Sequence, residues 1–174
     1  MKTFRFNVFE TNSSSTHAIA IVSGKKWDEF ENGNGLYSVD WETMLTSDEL
    51  YDRFLNGDQD GDYYSEKYEA YLNQNTGEKL TREEFGFIVQ NKHIAVACYN
   101  EAAYKIPADV QDKIAIEFGE NTHLNREVIA IIGEWFSYYG MYSYNEFDNY
   151  DSTYAISDTI EGVRVVAYGY YSEC

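Results

Sequence analysis

This chain is short of positive charge. Its 174 residues hold 13 Lys plus Arg against 30 Asp plus Glu, a formal charge of −17. Direct binding to nucleic acid through a basic face is thereby excluded, because such binding relies on Lys and Arg to neutralise phosphates. An anionic membrane surface is excluded on the same grounds. Cysteine is almost missing as well: Cys98 sits in an apolar run and Cys174 is the last residue. Two thiols cannot make a disulfide framework, which fits a reduced, cytoplasmic setting, and no lipidation motif surrounds Cys174. Long apolar runs are absent. The run at residues 18–22, like the others, falls far short of a bilayer span, and the opening MKTFRFNVFETNSSSTH has no apolar stretch of signal-peptide length. With one proline, no repeat and no low-complexity stretch, nothing marks a linker.

What the chain does have is aromatic residues. Seventeen Tyr, ten Phe and three Trp are far more than an acidic disordered tail carries, so a packed core is expected. Phe4, Phe6 and Val8 alternate with Arg5 and Asn7 as in a half-buried strand, and residues 18–22 read as a second strand. The turn NGNG at 32–35 precedes a short strand at 36–39. TSDE at 46–49 is a capping box that opens a helix to about residue 55. After a break at 56–61, Tyr64, Tyr68, Tyr71 and Leu72 give helical spacing over 63–72. TREE at 81–84 is another capping box, leading a helix with Phe85, Ile88 and Val89 on one side.

Residues 93–99, HIAVACY, are short and nearly all apolar, and read as a buried strand. Residues 107–118 fit either a helix started by Pro107 or a strand with Ile114 and Ile116 alternating. Asn125 opens a helix through about residue 139 with Val128, Ile131, Ile132, Trp135 and Phe136 as its apolar stripe. Residues 153–160 and 163–171 flank Glu161 and Gly162 as a hairpin. The expected architecture is one α+β domain over residues 1–174, with an antiparallel sheet built from the N- and C-terminal hairpins and helices packed on it.

The acidity is concentrated. Between residues 40 and 69, ten carboxylates (Asp40, Glu42, Asp48, Glu49, Asp52, Asp58, Asp60, Asp62, Glu66 and Glu69) meet only Arg53 and Lys67, a net −8. Residues 127–161 hold Glu127, Glu134, Glu146, Asp148, Asp151, Asp158 and Glu161 with no Lys or Arg, a net −7. A folded surface of about 8,700 Å² would carry one net charge per roughly 500 Å² on average. Duplex DNA carries about one per 100 Å². Spread evenly, the charge is too sparse to imitate DNA; gathered on one face it comes within a factor of about two. Tyr138, Tyr139, Tyr142, Tyr144 and Tyr150 are interleaved with these carboxylates and are too many for one side of a core, whereas aromatics are common interface anchors.

Recognisable chemistry is thin. Asn56, Asp58, Asp60 and Gly61 match the first half of a calcium loop, but the closing position falls on Lys67, where a bidentate carboxylate is required. A solvated acidic turn is expected there, with no metal. The hydroxyl-rich turn of Asn12, Ser13, Ser14, Ser15 and His17 satisfies its own backbone locally, or it pairs a serine with a histidine as an activated nucleophile. No G-x-S-x-G, phosphate loop, H-E-x-x-H or C-x-x-C is present, so no cofactor is expected.

The run VFETNSSSTH at 8–17 resembles a signature of uncharacterised proteins from bacteriophages and related mobile elements. That likeness covers about the first 22 residues and brings no activity with it. By size, acidity and lack of motifs, the chain also resembles phage counter-defence proteins, such as anti-CRISPR and antirestriction inhibitors. The likeness implies a non-enzymatic inhibitor in the host cytoplasm whose acidic, aromatic-rich face occupies the basic nucleic-acid groove of a host protein. Two other readings stay open: a small enzyme using the turn at 12–17, and a virion or assembly protein. A homodimer stays open as well, and a tight oligomer would favour the virion or assembly reading over a one-to-one inhibitor.

Overall fold

A computed structural model describes residues 16–57, 63–75, 77–150 and 153–172. The expected strand at Phe4, Phe6 and Val8 lies outside the described residues, as do residues 12–15. The chain enters through β1 (Thr16–Ser23), which pairs antiparallel with a strand near the other end, β6 (Val163–Ser172). The hairpin partner of β6 is β5 (Thr153–Ile160), so the sheet runs β1-β6-β5. Glu161 at φ 51° and Gly162 at φ 80° both occupy the left-handed region, the conformation a two-residue type I′ hairpin turn requires.

A second small sheet has the order β3-β2-β4, from β2 (Gly35–Ser38), β3 (Thr43–Thr46) and β4 (Met141–Tyr142). The fold is thus α+β as expected, but among the described residues the strands form two antiparallel sheets in place of one. They are joined by side chains. The Met44 N–H donates to the Tyr168 hydroxyl at 2.7 Å, tying β3 to β6. Around that bond Trp27, Phe30, Tyr37, Phe147 and Val166 form a small aromatic core. Trp27 and Phe30 come from α1 (Gly24–Glu31), capped by the Ser23 hydroxyl, and Phe147 from α8 (Tyr144–Asp148).

The larger core belongs to the helices. Among the described helix starts, three are capping boxes: α2 (Ser47–Asn56) at Thr46 and Glu49, α4 (Arg82–Gln90) at Thr81 and Glu84, and α8 at Ser143 and Glu146. Each box satisfies two of the N–H groups that a helix start leaves unpaired. At the centre is α7 (Arg126–Tyr138), whose Ile132, Trp135 and Phe136 are fully buried. Phe54 of α2, Phe85 of α4 and Tyr68 of α3 (Tyr63–Gln74) pack in the same core, and the Tyr68 hydroxyl accepts the Leu80 N–H at 2.9 Å.

Residues 93–99 are not a strand. They lie in α5 (Lys92–Asn100), which buries Ile94, Ala95 and Cys98. Those positions share one side of a helix packed on α7, and a short apolar run suits a strand or a helix equally. A Cβ built on Gly133 would lie 1.9 Å from the Ala95 carbonyl oxygen, so glycine is what permits that crossing. The ambiguous stretch after Pro107 is helix α6 (Ala108–Phe118) with Val110 and Ile114 buried; Ile116 points to solvent.

Candidate functional site

The structure divides the described carboxylates of residues 40–69 into two groups. One group is occupied with holding the fold together. Asp48 and Asp52 both reach Arg82 of α4, and Glu49 takes Lys26 of α1 at 2.9 Å while closing its capping box. Partial burial alone would raise the Glu49 carboxyl, but the bonds from Lys26 and the Thr46 N–H outweigh it and hold it below its ordinary 4.5. Glu146 follows the same pattern: burial pulls up, and Lys92 with the Ser143 N–H pull further down. Asp148 is exposed on the same short helix α8.

The other group is exposed on elements that also carry a chain of aromatic rings. Asp40 and Glu42 are exposed in the β2–β3 turn on either side of Trp41. The Trp41 ring lies 4.4 Å from Tyr139, and Tyr139 is 5.0 Å from Tyr138. Tyr138 in turn is 5.6 Å from Tyr64, and Tyr64 is 5.2 Å from Tyr63. This ladder of rings runs from the first acidic segment, through the C-terminal end of α7 in the second, and back into α3 of the first. Spacing explains the meeting: Glu134 and Tyr138 stand one turn apart on α7. Opposite them on α3, Lys67 pairs with Glu134 and Tyr64 packs on Tyr138. Glu66 and Glu69 are exposed on the same helix.

The ladder is wet at both ends of its α3–α7 step. Tyr63 is 60% exposed and Tyr138 65%, so both rings offer a face to solvent. Between them Tyr64 is buried, and burial with the neighbouring Glu134 carboxylate pushes its hydroxyl up to about 12. Tyr99 of α5, 45% exposed, also bears on that hydroxyl. The protein's own cations already use these rings: Arg53 lies 4.2 Å over Trp41 and Lys67 5.9 Å over Tyr63.

Sequence reasoning pointed to Tyr138 and Tyr139 but did not single out Trp41, Tyr63, Tyr64 or Tyr99. The available signal was the adjacency of these rings to acidic runs; what was missing was the packing of α3 on α7. Tyr144, expected on the surface, packs instead on Trp27 and Phe30. Asp58, Asp60, Asp62 and Asp151 lie outside the described residues, as do Asn12, Ser13, Ser14 and Ser15. The backbone of His17 is in β1 opposite Tyr171.

A cleft of about 950 Å³ opens elsewhere, where α1, α2, α4 and α6 approach one another. Glu29, Asp48, Glu83, Glu84 and Glu117 line it beside Phe87 and Phe118, with no Lys or Arg among its walls. Its buried carboxylate is fully engaged: Glu84 accepts from the Thr81 N–H, the Thr122 hydroxyl and the His123 N–H. Among the described residues no group of three His, Cys, Asp or Glu side chains is placed to hold a metal ion. No helix among them is long and apolar enough to cross a membrane. No protein-family model, curated protein or solved structure matches the chain.

Proposed function

We propose that this chain is a non-enzymatic, phage-type counter-defence inhibitor. It docks its acidic, aromatic face into the basic nucleic-acid groove of a host protein such as a restriction or CRISPR nuclease. The supporting observation is the ring ladder Trp41, Tyr139, Tyr138, Tyr64 and Tyr63, which links the two acidic segments through ring contacts and exposes Tyr63 and Tyr138. Asp40, Glu42, Glu66 and Glu69 face the target's Lys and Arg as phosphates would, and the exposed tyrosines supply the desolvated anchors. Asp48, Glu49, Asp52 and Glu146 are spent on internal ion pairs and contribute field more than contact. The phage setting comes from the likeness of residues 8–17.

A panel of purified restriction and CRISPR nucleases, assayed for DNA cleavage with and without the chain, tests the reading. The expected result is inhibition of at least one, overcome by excess duplex DNA and by added salt. The combined variant Asp40→Asn, Glu42→Gln, Glu66→Gln, Glu69→Gln is expected to lose it. Absence of inhibition across the panel, or inhibition indifferent to both salt and competing DNA, overturns it.

A further inference from the structure

We propose that the seat formed by Glu134, Tyr63, Tyr64 and Tyr138 takes an arginine side chain of the bound partner, and that Lys67 is its displaceable internal occupant. The inference rests on the acidic-face reading and names the partner group that the face selects.

Lys67 Nζ bonds to Glu134 Oε2 and lies over the Tyr63 ring. The occupant is looser than the seat: the Lys67 side chain is 40% exposed, the Glu134 side chain 16%. An ion pair open to water on one side contributes little, so releasing Lys67 costs little. An ammonium also uses this seat poorly. It is a compact, strongly hydrated charge, whereas a guanidinium is a planar fork that engages both oxygens of a carboxylate and stacks on an aromatic face.

The protein itself contains the arrangement with arginine in place. The Arg82 guanidinium lies 4.7 Å over the Tyr51 ring while its nitrogens reach Asp48 at 3.3 Å and Asp52 at 2.5 Å. Ring plus carboxylate around a guanidinium is therefore a geometry this chain builds on α2 and α4. The seat on α3 and α7 has the same components, with more rings and a lysine on the carboxylate beside Tyr63. Tyr138, 65% exposed and 5.6 Å from Tyr64, offers the additional face that an incoming guanidinium would cover.

Calorimetric titration with an oligo-arginine peptide and an oligo-lysine peptide of equal length tests the proposal. Wild type is expected to bind the arginine peptide more tightly. Lys67→Met should tighten arginine binding about two- to fivefold, the range of one cation–π contact or exposed ion pair. Lysine binding should change much less. Adding Glu134→Gln or Tyr138→Leu to Lys67→Met should erase the gain. Equal gains for the two peptides would mean a general charge effect and overturn the arginine seat while sparing the acidic-face reading, and so would no gain at all. Failure of wild type to bind either peptide at low salt overturns both. Circular dichroism and a Lys67→Gln variant separate loss of folding from loss of the seat.

Discussion

Glu49 and Glu146 each close a capping box and each hold a lysine, so a single carboxylate joins a helix start to a neighbouring element. In both, the folded chain keeps the carboxyl below 4.5, which means the fold favours the ionised form. That contribution is present above the unfolded value and is lost as pH falls through the lowered folded value. Glu146→Gln is therefore expected to cost about 1 kcal/mol near neutral pH, the usual size of a capping interaction. The gap to wild type should close as pH drops below 4.5, because the protonated acid and the amide are then near equivalents. Urea unfolding of both proteins at neutral and at acid pH measures it. A gap that persists in acid would mean that shape, not charge, sets the cost.

At the scale of elements, the crossing of α5 and α7 is the tightest joint in the described fold. Gly133→Ala places a methyl group against the Ala95 carbonyl, where only the backbone could yield. The expected loss is about 1–3 kcal/mol, the range for overpacking a filled site, read as a lower urea midpoint with helix content retained. The same joint shows why some elements were legible in sequence and others were not. Thr46, Thr81 and Asn125 announce their helices because a capping hydrogen bond needs only three or four consecutive residues. Glu161 and Gly162 announce their hairpin for the same reason. Residues 93–99 gave no such local sign, since a short apolar run suits a strand or a helix equally until its neighbour is known. The site was half legible on this account. The acidic segments and Tyr138 stood out in the sequence, but the ring ladder needs Tyr63 and Tyr64 on α3 to meet Tyr138 and Tyr139 on α7.

For the molecule as a whole, the net charge of −17 governs how a partner is approached more than how firmly it is held. Association with a basic target should slow about tenfold or more between low and moderate ionic strength, while dissociation changes far less. Stopped-flow mixing at several salt concentrations separates the two rates. The acidic-face reading assigns no role to Ser13, Ser14, Ser15 or His17, so replacing all four with Ala should leave inhibition intact; its loss from a folded variant would favour the small-enzyme reading. The sheet adds a constraint on the order of assembly. β6, the last of the described strands, occupies the middle of its sheet, and its Tyr168 is also the bond that ties β3 to that sheet. A nascent chain halted before Val163 already contains every helix described here, yet β1 and β5 then have no strand between them. The helical core can therefore close during synthesis, whereas the small aromatic core around Trp27 must wait until β6 has left the ribosome.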